Sequence, residues 1–505
     1  VPDTAGQWKR VGFYFRTAPG TQSIRLLLTH PANAPAMAID GLAFREATET
    51  EFSAAYAGWR AKYPERDLSP RPGDGQNLGN FLSKLTHPVA PREPLRVMGI
   101  GSSYTNMLGN GERLIQWIRE RFPDAPPIAY EKHVGSAVEY DFTRGWMRQH
   151  VLGKQPDLVI LYSGGKAADL EKLLADFRAH STADVIVASL HLREQDKEIT
   201  DATVNLPEWD AIRDVALKYG CEWVNSRREW AAYLQAQGKP IDWLLKDAVH
   251  QNDHGALVIN ENICRHLVPG GAKPSSTERL LKPGESADGE SVSGRLGAGE
   301  TMTVNFRGNR IDVVARRIKG GGKLVAGAMI LDGRPLDEVA AFLTTVILPG
   351  KDNHKPERGS AADHSPHQII LANPATILPQ RWTIRMYGDA GAYQLIGSVT
   401  GPDGYGHNGM DFTGNSGQIT VPTDLWRRRL EADGETYSNR DGDTFSWEVY
   451  RATASEVDFG GDDGEAFTEV LADQLENGWH TLELGPLTAG AGEIIGFRVH
   501  EPAFR

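Results

Sequence analysis

Between residues 95 and 267, apolar runs of strand length alternate with stretches of helical length. The apolar runs are 95–100, 128–130, 158–161, 184–190 and 221–224. The helical stretches include 106–122, 167–179, a segment around 228–237, and 255–267. In 106–122 the apolar positions Leu108, Leu114, Ile115 and Ile118 follow a helical period. Strand and helix in regular alternation imply a parallel sheet covered on both faces. Such sheets place their chemistry at the carboxyl edge of the strands.

One junction stands out in this pattern. Val97-Met98-Gly99-Ile100-Gly101-Ser102-Ser103-Tyr104-Thr105 runs from an apolar strand through small residues into a helix. A serine at such a turn exposes its hydroxyl beside helix N–H groups that can stabilise a developing oxyanion. A nucleophilic serine needs a base. Leu244 to Gly255 contains Asp247 and His250, three residues apart. A carboxylate at that spacing can hold the imidazole of its own segment in one tautomer while the other ring nitrogen reaches the serine. The order Ser, Asp, His is that of the α/β-hydrolases, but no Gly-x-Ser-x-Gly elbow occurs in the chain.

These two motifs resemble those of the SGNH (GDSL-type) hydrolase superfamily over roughly residues 90–268. The first block of that family is Gly-Asp-Ser, an apolar residue, then Thr or Asn. Gly101-Ser102-Ser103-Tyr104-Thr105 matches it with Ser103 as nucleophile and Ser102 in place of the Asp. The last block, Asp-x-x-His, is matched by Asp247 and His250. The second block supplies a glycine N–H to the oxyanion hole, for which Gly135 in His133-Val134-Gly135-Ser136 is the best match. The third block is Gly-x-Asn after a strand. Here 156–163 leads into Gly164-Gly165-Lys166, with lysine where the family has asparagine. The resemblance implies a flavodoxin-like three-layer α/β domain and a Ser103–His250–Asp247 triad. It also implies an oxyanion or substrate site at Gly135, Gly165 and Lys166, with no metal or organic cofactor. By similarity to multidomain members with flanking β-sandwich modules, the expected activity is removal of acyl groups, acetyl first, from a poly- or oligosaccharide. A lipase, thioesterase or glycosidase-like member of the superfamily, or a non-catalytic glycan-binding protein retaining the fold, is the rival reading.

Length and charge bound these readings. At 505 residues the chain has room for about three domains of ~150 residues each. The formal net charge of -12 argues against nucleic acid or an anionic membrane as partner. No apolar run is long enough to span a bilayer. Two cysteines, Cys221 and Cys264, make no disulfide scaffold and do not settle the compartment. No signal-peptide pattern leads the chain, and the expected location is periplasmic or secreted. The expected partner is an acylated carbohydrate; the sequence does not give an oligomeric state.

The flanks read as β-structure. Residues 1–46 carry strand signals and are expected to form a partial β-sandwich. Residues 47–63 read as a helix with Phe52, Tyr56, Trp59 and Tyr63 packed into the core, and 47–270 as the α/β domain. Residues 275–300, rich in Gly, Ser and Glu, read as a linker. Strand alternation then returns, for two β-sandwich modules at 271–396 and 397–505.

Each candidate has an ordinary reading beside the functional one. Ser103 suits a plain helix start. Gly99-x-Gly101-x-x-Tyr104 lacks the third glycine of a dinucleotide loop, so NAD binding is not expected. Lys166 is as consistent with a solvated helix start as with a site residue. His191, after the strand at 184–190, either lines the site or caps the sheet. His354, His364, His367, Asp352 and Asp363 crowd one stretch with irregular spacing, which reads as surface rather than a zinc site. Asn439-Arg440-Asp441-Gly442-Asp443 lacks the glutamate of a calcium loop and reads as a turn.

Overall fold

A computed structural model describes residues 43–87, 94–135, 138–269, 276–347, 366, 368–388, 390–426, 441–462 and 464–504. The strand signals in 1–42, Asp352, His354, Asp363, His364 and His367, and Asn439 with Arg440 lie outside the described residues. Residues 43–48 are irregular, not strand.

The α/β part contains strands β1 (Leu95–Gly101), β2 (Ile128–Val134), β3 (Leu158–Tyr162), β4 (Asp184–Ala188) and β5 (Glu222–Val224). Its helices are α1 (Glu49–Arg60), α2 (Gly79–Thr86), α3 (Ser103–Asn106), α4 (Glu112–Arg121), α5 (Ala167–His180), α6 (Asp201–Val204), α7 (Pro207–Lys218), α8 (Ser226–Gln237) and α9 (Asp253–Arg265). The five strands are parallel in the order β2-β1-β3-β4-β5. This is the flavodoxin-like order, with its switch point at β1 and β3.

The apolar runs work because successive side chains point to opposite faces and both faces are covered. Val97, Leu158, Ile160, Tyr162 and Ile186 pack with residues of α2, α4, α8 and α9, among them Leu82, Ile118, Leu234 and Ile259. The alternate residues Met98, Ile100, Val159, Leu161, Val185 and Val187 pack on the other face. There they meet Leu173 and Phe177 of α5, Ile212 of α7, and Phe142 and Met147 of the helical stretch Val138–Val151. Full burial of each large aliphatic side chain stabilises by roughly 1.5–3 kcal/mol.

The helix expected over 106–122 is confined to α4 (Glu112–Arg121), and α3 (Ser103–Asn106) is a separate turn before it. Gly109 and Gly111 take positive φ values of 88° and 80° between α3 and α4. A Cβ on Gly111 would lie 2.4 Å from the Tyr130 ring, so the chain uses glycine where it crosses β2. This break leaves α3 as a single short turn that presents Ser103.

The remaining described strands form two packed units whose boundaries differ from those expected. One unit packs the sheet of Thr277–Leu281, Arg310–Arg316, Ala466–Ala472 and Glu493–Glu501 against a second, six-stranded sheet. That second sheet includes Glu290–Gly297, Glu300–Gly308, Met329–Leu331 and Gly478–Leu484. The other unit, built from strands between Phe342 and Arg451, has its own core around Trp382, Tyr393 and Trp447. It is inserted within the first. The expected cut between 396 and 397 falls inside a hairpin, because Ala392–Gly397 pairs with Gly401–His407. The expected linker over 275–300 contains Thr277–Leu281 at a sheet edge and Glu290–Gly297 near one; half-exposed strands carry little alternation.

The first unit docks against the amino edge of the parallel sheet. Lys84 of α2 pairs with Asp157 at 2.6 Å and with Glu278 at 2.7 Å, and Thr182 Oγ1 donates to Glu278 at 2.7 Å. Asp157 and Thr182 precede β3 and β4, so this contact leaves the carboxyl edge open. Among the described residues no helix is long and apolar enough to cross a membrane.

Candidate active site

The site is assembled at the carboxyl end of β1. Gly101 closes the strand with φ 151°, and a Cβ there would lie 2.3 Å from Thr105 Oγ1 and 2.6 Å from the Tyr162 carbonyl. Thr105 Oγ1 uses that space, donating to the Tyr162 carbonyl at 2.5 Å and contacting the Ile100 carbonyl at 3.1 Å. This knot ties the first turn of α3 to β1 and β3. Ser102 is the N-cap and is buried, and Ser103 is the exposed first residue of the helix. The first N–H groups of a helix lack intrahelical acceptors, so that of Ser103 is available beside its own hydroxyl.

His250 comes from the segment between β5 and α9. Its Nε2 lies 2.8 Å from Ser103 Oγ. Its Nδ1 lies 3.0 Å from each carboxylate oxygen of Asp247. Asp247 Oδ1 also accepts the backbone N–H groups of His250 at 2.8 Å and Val249 at 3.0 Å. The three-residue spacing therefore closes a side-chain turn that holds carboxylate and imidazole together. Those two backbone bonds, chiefly, bring the Asp247 carboxyl down to about 2. A carboxylate facing Nδ1 leaves Nε2 as the acceptor for the serine proton. Gln251 Nε2 donates to the Tyr104 carbonyl at 2.8 Å, tying this segment to α3 directly behind Ser103.

The other expected site residues separate. Gly135 does not offer a free N–H: it donates to the Gly101 carbonyl at 2.8 Å, extending the β1–β2 ladder by one step. Gly165 and Lys166 lie exposed in the turn between β3 and α5. That turn neighbours the nucleophile strand, since Gly101 is in register with Tyr162. Lys166 is the N-cap of α5 and its side chain makes no cap bond, which leaves the amino end of the 14-residue α5 uncapped.

His191, left open by the sequence, is fully buried behind the site. Its Nε2 lies 3.0 Å from the Val249 carbonyl and its Nδ1 2.5 Å from the Tyr162 hydroxyl. A carbonyl only accepts, so Nε2 carries the hydrogen and Tyr162 donates to Nδ1. Burial drives the His191 imidazole down to about 3. In the unfolded chain a histidine takes a proton near pH ~6.5. The unfolded state then binds the extra proton, so this group removes stability as pH falls from about 6.5 toward about 3. Buried Asp184, raised to about 7, acts in the opposite sense, removing stability as pH rises from 3.8 to about 7. Tm of wild type and His191→Gln measured from pH 7 to 4.5 isolates the histidine. The variant is expected to lose less stability on acidification, and equal slopes would contradict this assignment.

Sequence reasoning missed Tyr162, Gln251 and the role of His191. The adjacency of Gln251 to His250 was the one available signal. Among the described residues no three His, Cys, Asp or Glu converge as metal ligands. Asp441 accepts the Gly388 N–H at 2.8 Å and lies in a turn.

No protein-family model matches the chain. No curated protein sequence matches it. Among solved structures, it is similar to a two-domain esterase active on acetylated mannans, co-crystallised with mannopentaose. The identity is 11%, the alignment covers 84% of this chain and 95% of that one, and the TM-score is 0.30. Similarity to Axe2, an acetylxylan esterase from Geobacillus stearothermophilus, is 14% in identity over 38% of this chain and 99% of that one, with a TM-score of 0.31. A putative GDSL-like lipase from Parabacteroides merdae gives 14%, 35% and 96%, with a TM-score of 0.28.

Proposed function

We propose that this chain is a serine ester hydrolase that removes acetyl groups from a poly- or oligosaccharide through an acyl-enzyme on Ser103. The observation that carries the reading is the unbroken hydrogen-bonded chain from Asp247 through His250 to an exposed serine hydroxyl. His250 Nε2 takes the proton as Ser103 Oγ attacks the ester carbonyl, and Asp247 stabilises the imidazolium through Nδ1–H. The sugar hydroxyl leaves with the proton held on His250. Water then attacks the acyl-enzyme with His250 again as base, releasing acetate and free Ser103.

The oxyanion donors under this reading are the Ser103 N–H and the N–H groups of the turn leading into α5. Lys166 stands at that turn with its ammonium in solvent, and a flexible ammonium is less preorganised than fixed backbone donors. Lys166→Ala is accordingly expected to raise KM and leave kcat within about threefold. A kcat defect of about 10²-fold, the scale of a lost oxyanion donor, would make the lysine part of the oxyanion site instead.

The carbohydrate part of the proposal draws on the β-units and on the resemblance to multidomain SGNH esterases that deacetylate polysaccharides. Tyr405 is 70% and Trp479 is 54% exposed, and Tyr387 lies 6.1 Å from Tyr405, ring to ring. Exposed aromatic rings suit the apolar C–H faces of sugar rings. The test is acetate release from a panel of acetylated polysaccharides beside turnover of p-nitrophenyl acetate. Release from one or more polymers supports the reading. Turnover of p-nitrophenyl acetate alone moves the substrate away from glycans, and no turnover of either contradicts the acetylesterase reading.

A further inference from the structure

We propose that His191 is a positioning residue for the reaction, acting through the backbone of the segment that carries His250. The inference rests on the reading of Ser103 and His250 as the working pair. Asp247 and His250 sit on a partly exposed segment, with 43% and 23% of their side-chain surfaces in solvent. Its internal bonds, the Asp247 side-chain turn and Lys246 N–H to the His250 carbonyl at 2.9 Å, fix its shape but not its place over Ser103. Its place is set from two sides: Gln251 Nε2 donates to the Tyr104 carbonyl at 2.8 Å, and the segment after β4 supplies two further anchors. Glu194 N–H donates to the Ala248 carbonyl at 3.0 Å, and His191 Nε2–H donates to the Val249 carbonyl at 3.0 Å.

The two anchors differ in rigidity. Glu194 is exposed, whereas His191 is sealed between Trp230, with ring centroids 4.6 Å apart, and Tyr162. Arg227, itself buried, donates to the His191 carbonyl at 3.0 Å and to Asp196 at 2.5 Å, holding the whole strap. Tyr162 is the last residue of β3, and its hydroxyl occupies Nδ1, so only Nε2 can present a hydrogen to Val249. A bond network that starts on β3 thus decides where the residue before His250 sits. Because β3 pairs with β1, the same strands place both members of the working pair.

Two substitutions at His191 separate positioning from packing. A glutamine amide places its N–H near the position of Nε2 and keeps the bond to Val249. An asparagine amide reaches only the level of Nδ1 and loses it. Both remove the same buried ring. With p-nitrophenyl acetate and the full chain, His191→Asn is expected to lower kcat about 10- to 100-fold below His191→Gln with KM little changed, the scale of a small misplacement of a catalytic group. Tyr162→Phe, which frees Nδ1 while keeping the ring, is expected to fall between wild type and His191→Asn. Equal kcat in the two His191 variants overturns the inference, whether both are high or both are low. If His191→Asn does not fold, wild-type kcat in Tyr162→Phe overturns it. An enzyme whose activity depends on Ser103 yet gives either result loses the positioning role alone. Activity that survives Ser103→Ala removes the reading beneath it.

Discussion

Ser103→Ala is expected to lower kcat for p-nitrophenyl acetate by about 10³-fold or more, because it removes the atom that forms the acyl-enzyme and leaves only binding and oxyanion stabilisation. The neighbouring Ser102 provides the control. Its hydroxyl is buried at the N-cap without a hydrogen-bond partner among the described residues, and its side chain makes no cap bond. Ser102→Ala removes a buried, unpaired polar group and keeps the backbone turn, so its kcat is expected to stay within a few-fold of wild type. The opposite ranking of the two alanine variants would shift the nucleophile by one residue and undo the geometry on which the mechanism is built.

Asp247→Asn is expected to cost about 10⁴-fold in kcat, for a reason of tautomer rather than of folding. The asparagine carbonyl oxygen can still accept the Val249 and His250 N–H groups that shape the turn. Its amide then faces His250 Nδ1 with a donor where the carboxylate had an acceptor. When that amide donates to Nδ1, Nδ1 becomes the acceptor, the hydrogen moves to Nε2, and Nε2 can no longer take the serine proton; Oδ1, also 3.0 Å from Nδ1, offers only a neutral acceptor shared with two backbone N–H groups. The pH profile follows from the same pair. The Asp247 carboxyl, down at about 2, stays ionised through the neutral and mildly acidic range. Asp247 should therefore add no acidic limb of its own to the pH–rate profile in that range. Near-wild-type kcat in Asp247→Asn, measured beside an unchanged circular dichroism spectrum, would remove the carboxylate from the mechanism.

What could be read from the sequence was what local chemistry decides. The runs at 95–100 and 158–161 are strands because both of their faces are buried, and burial on both faces writes a continuous apolar run. Asp247 and His250 meet because a side-chain turn spans three residues, and the spacing alone carries that information. What could not be read depends on distant partners. The N–H of Gly135 was expected at an oxyanion, but β1 lies beside it and takes that N–H into the ladder. His191 reaches Val249 across 58 residues, and no local pattern marks that bond. The strand Arg310–Arg316 pairs with Ala466–Ala472 and Glu493–Glu501, over the whole inserted unit, so an even division of the β-region at 396 had no physical basis. Gly109 and Gly111 sat in plain view within a helical period, yet the decisive fact was the Tyr130 ring against which the chain must pass.

The central claim is that the Ser103 hydroxyl is an activated nucleophile, and a mechanism-based label measures this directly. The 505-residue chain is treated with a fluorophosphonate ester, its intact mass is recorded, and the modified peptide is sequenced by mass spectrometry. One phosphonyl group on the peptide containing Ser103, with loss of p-nitrophenyl acetate hydrolysis in step with labelling and no label on Ser103→Ala, is the expected result. Undiminished hydrolysis with Ser103 unlabelled, or stoichiometric label on another residue, would contradict it.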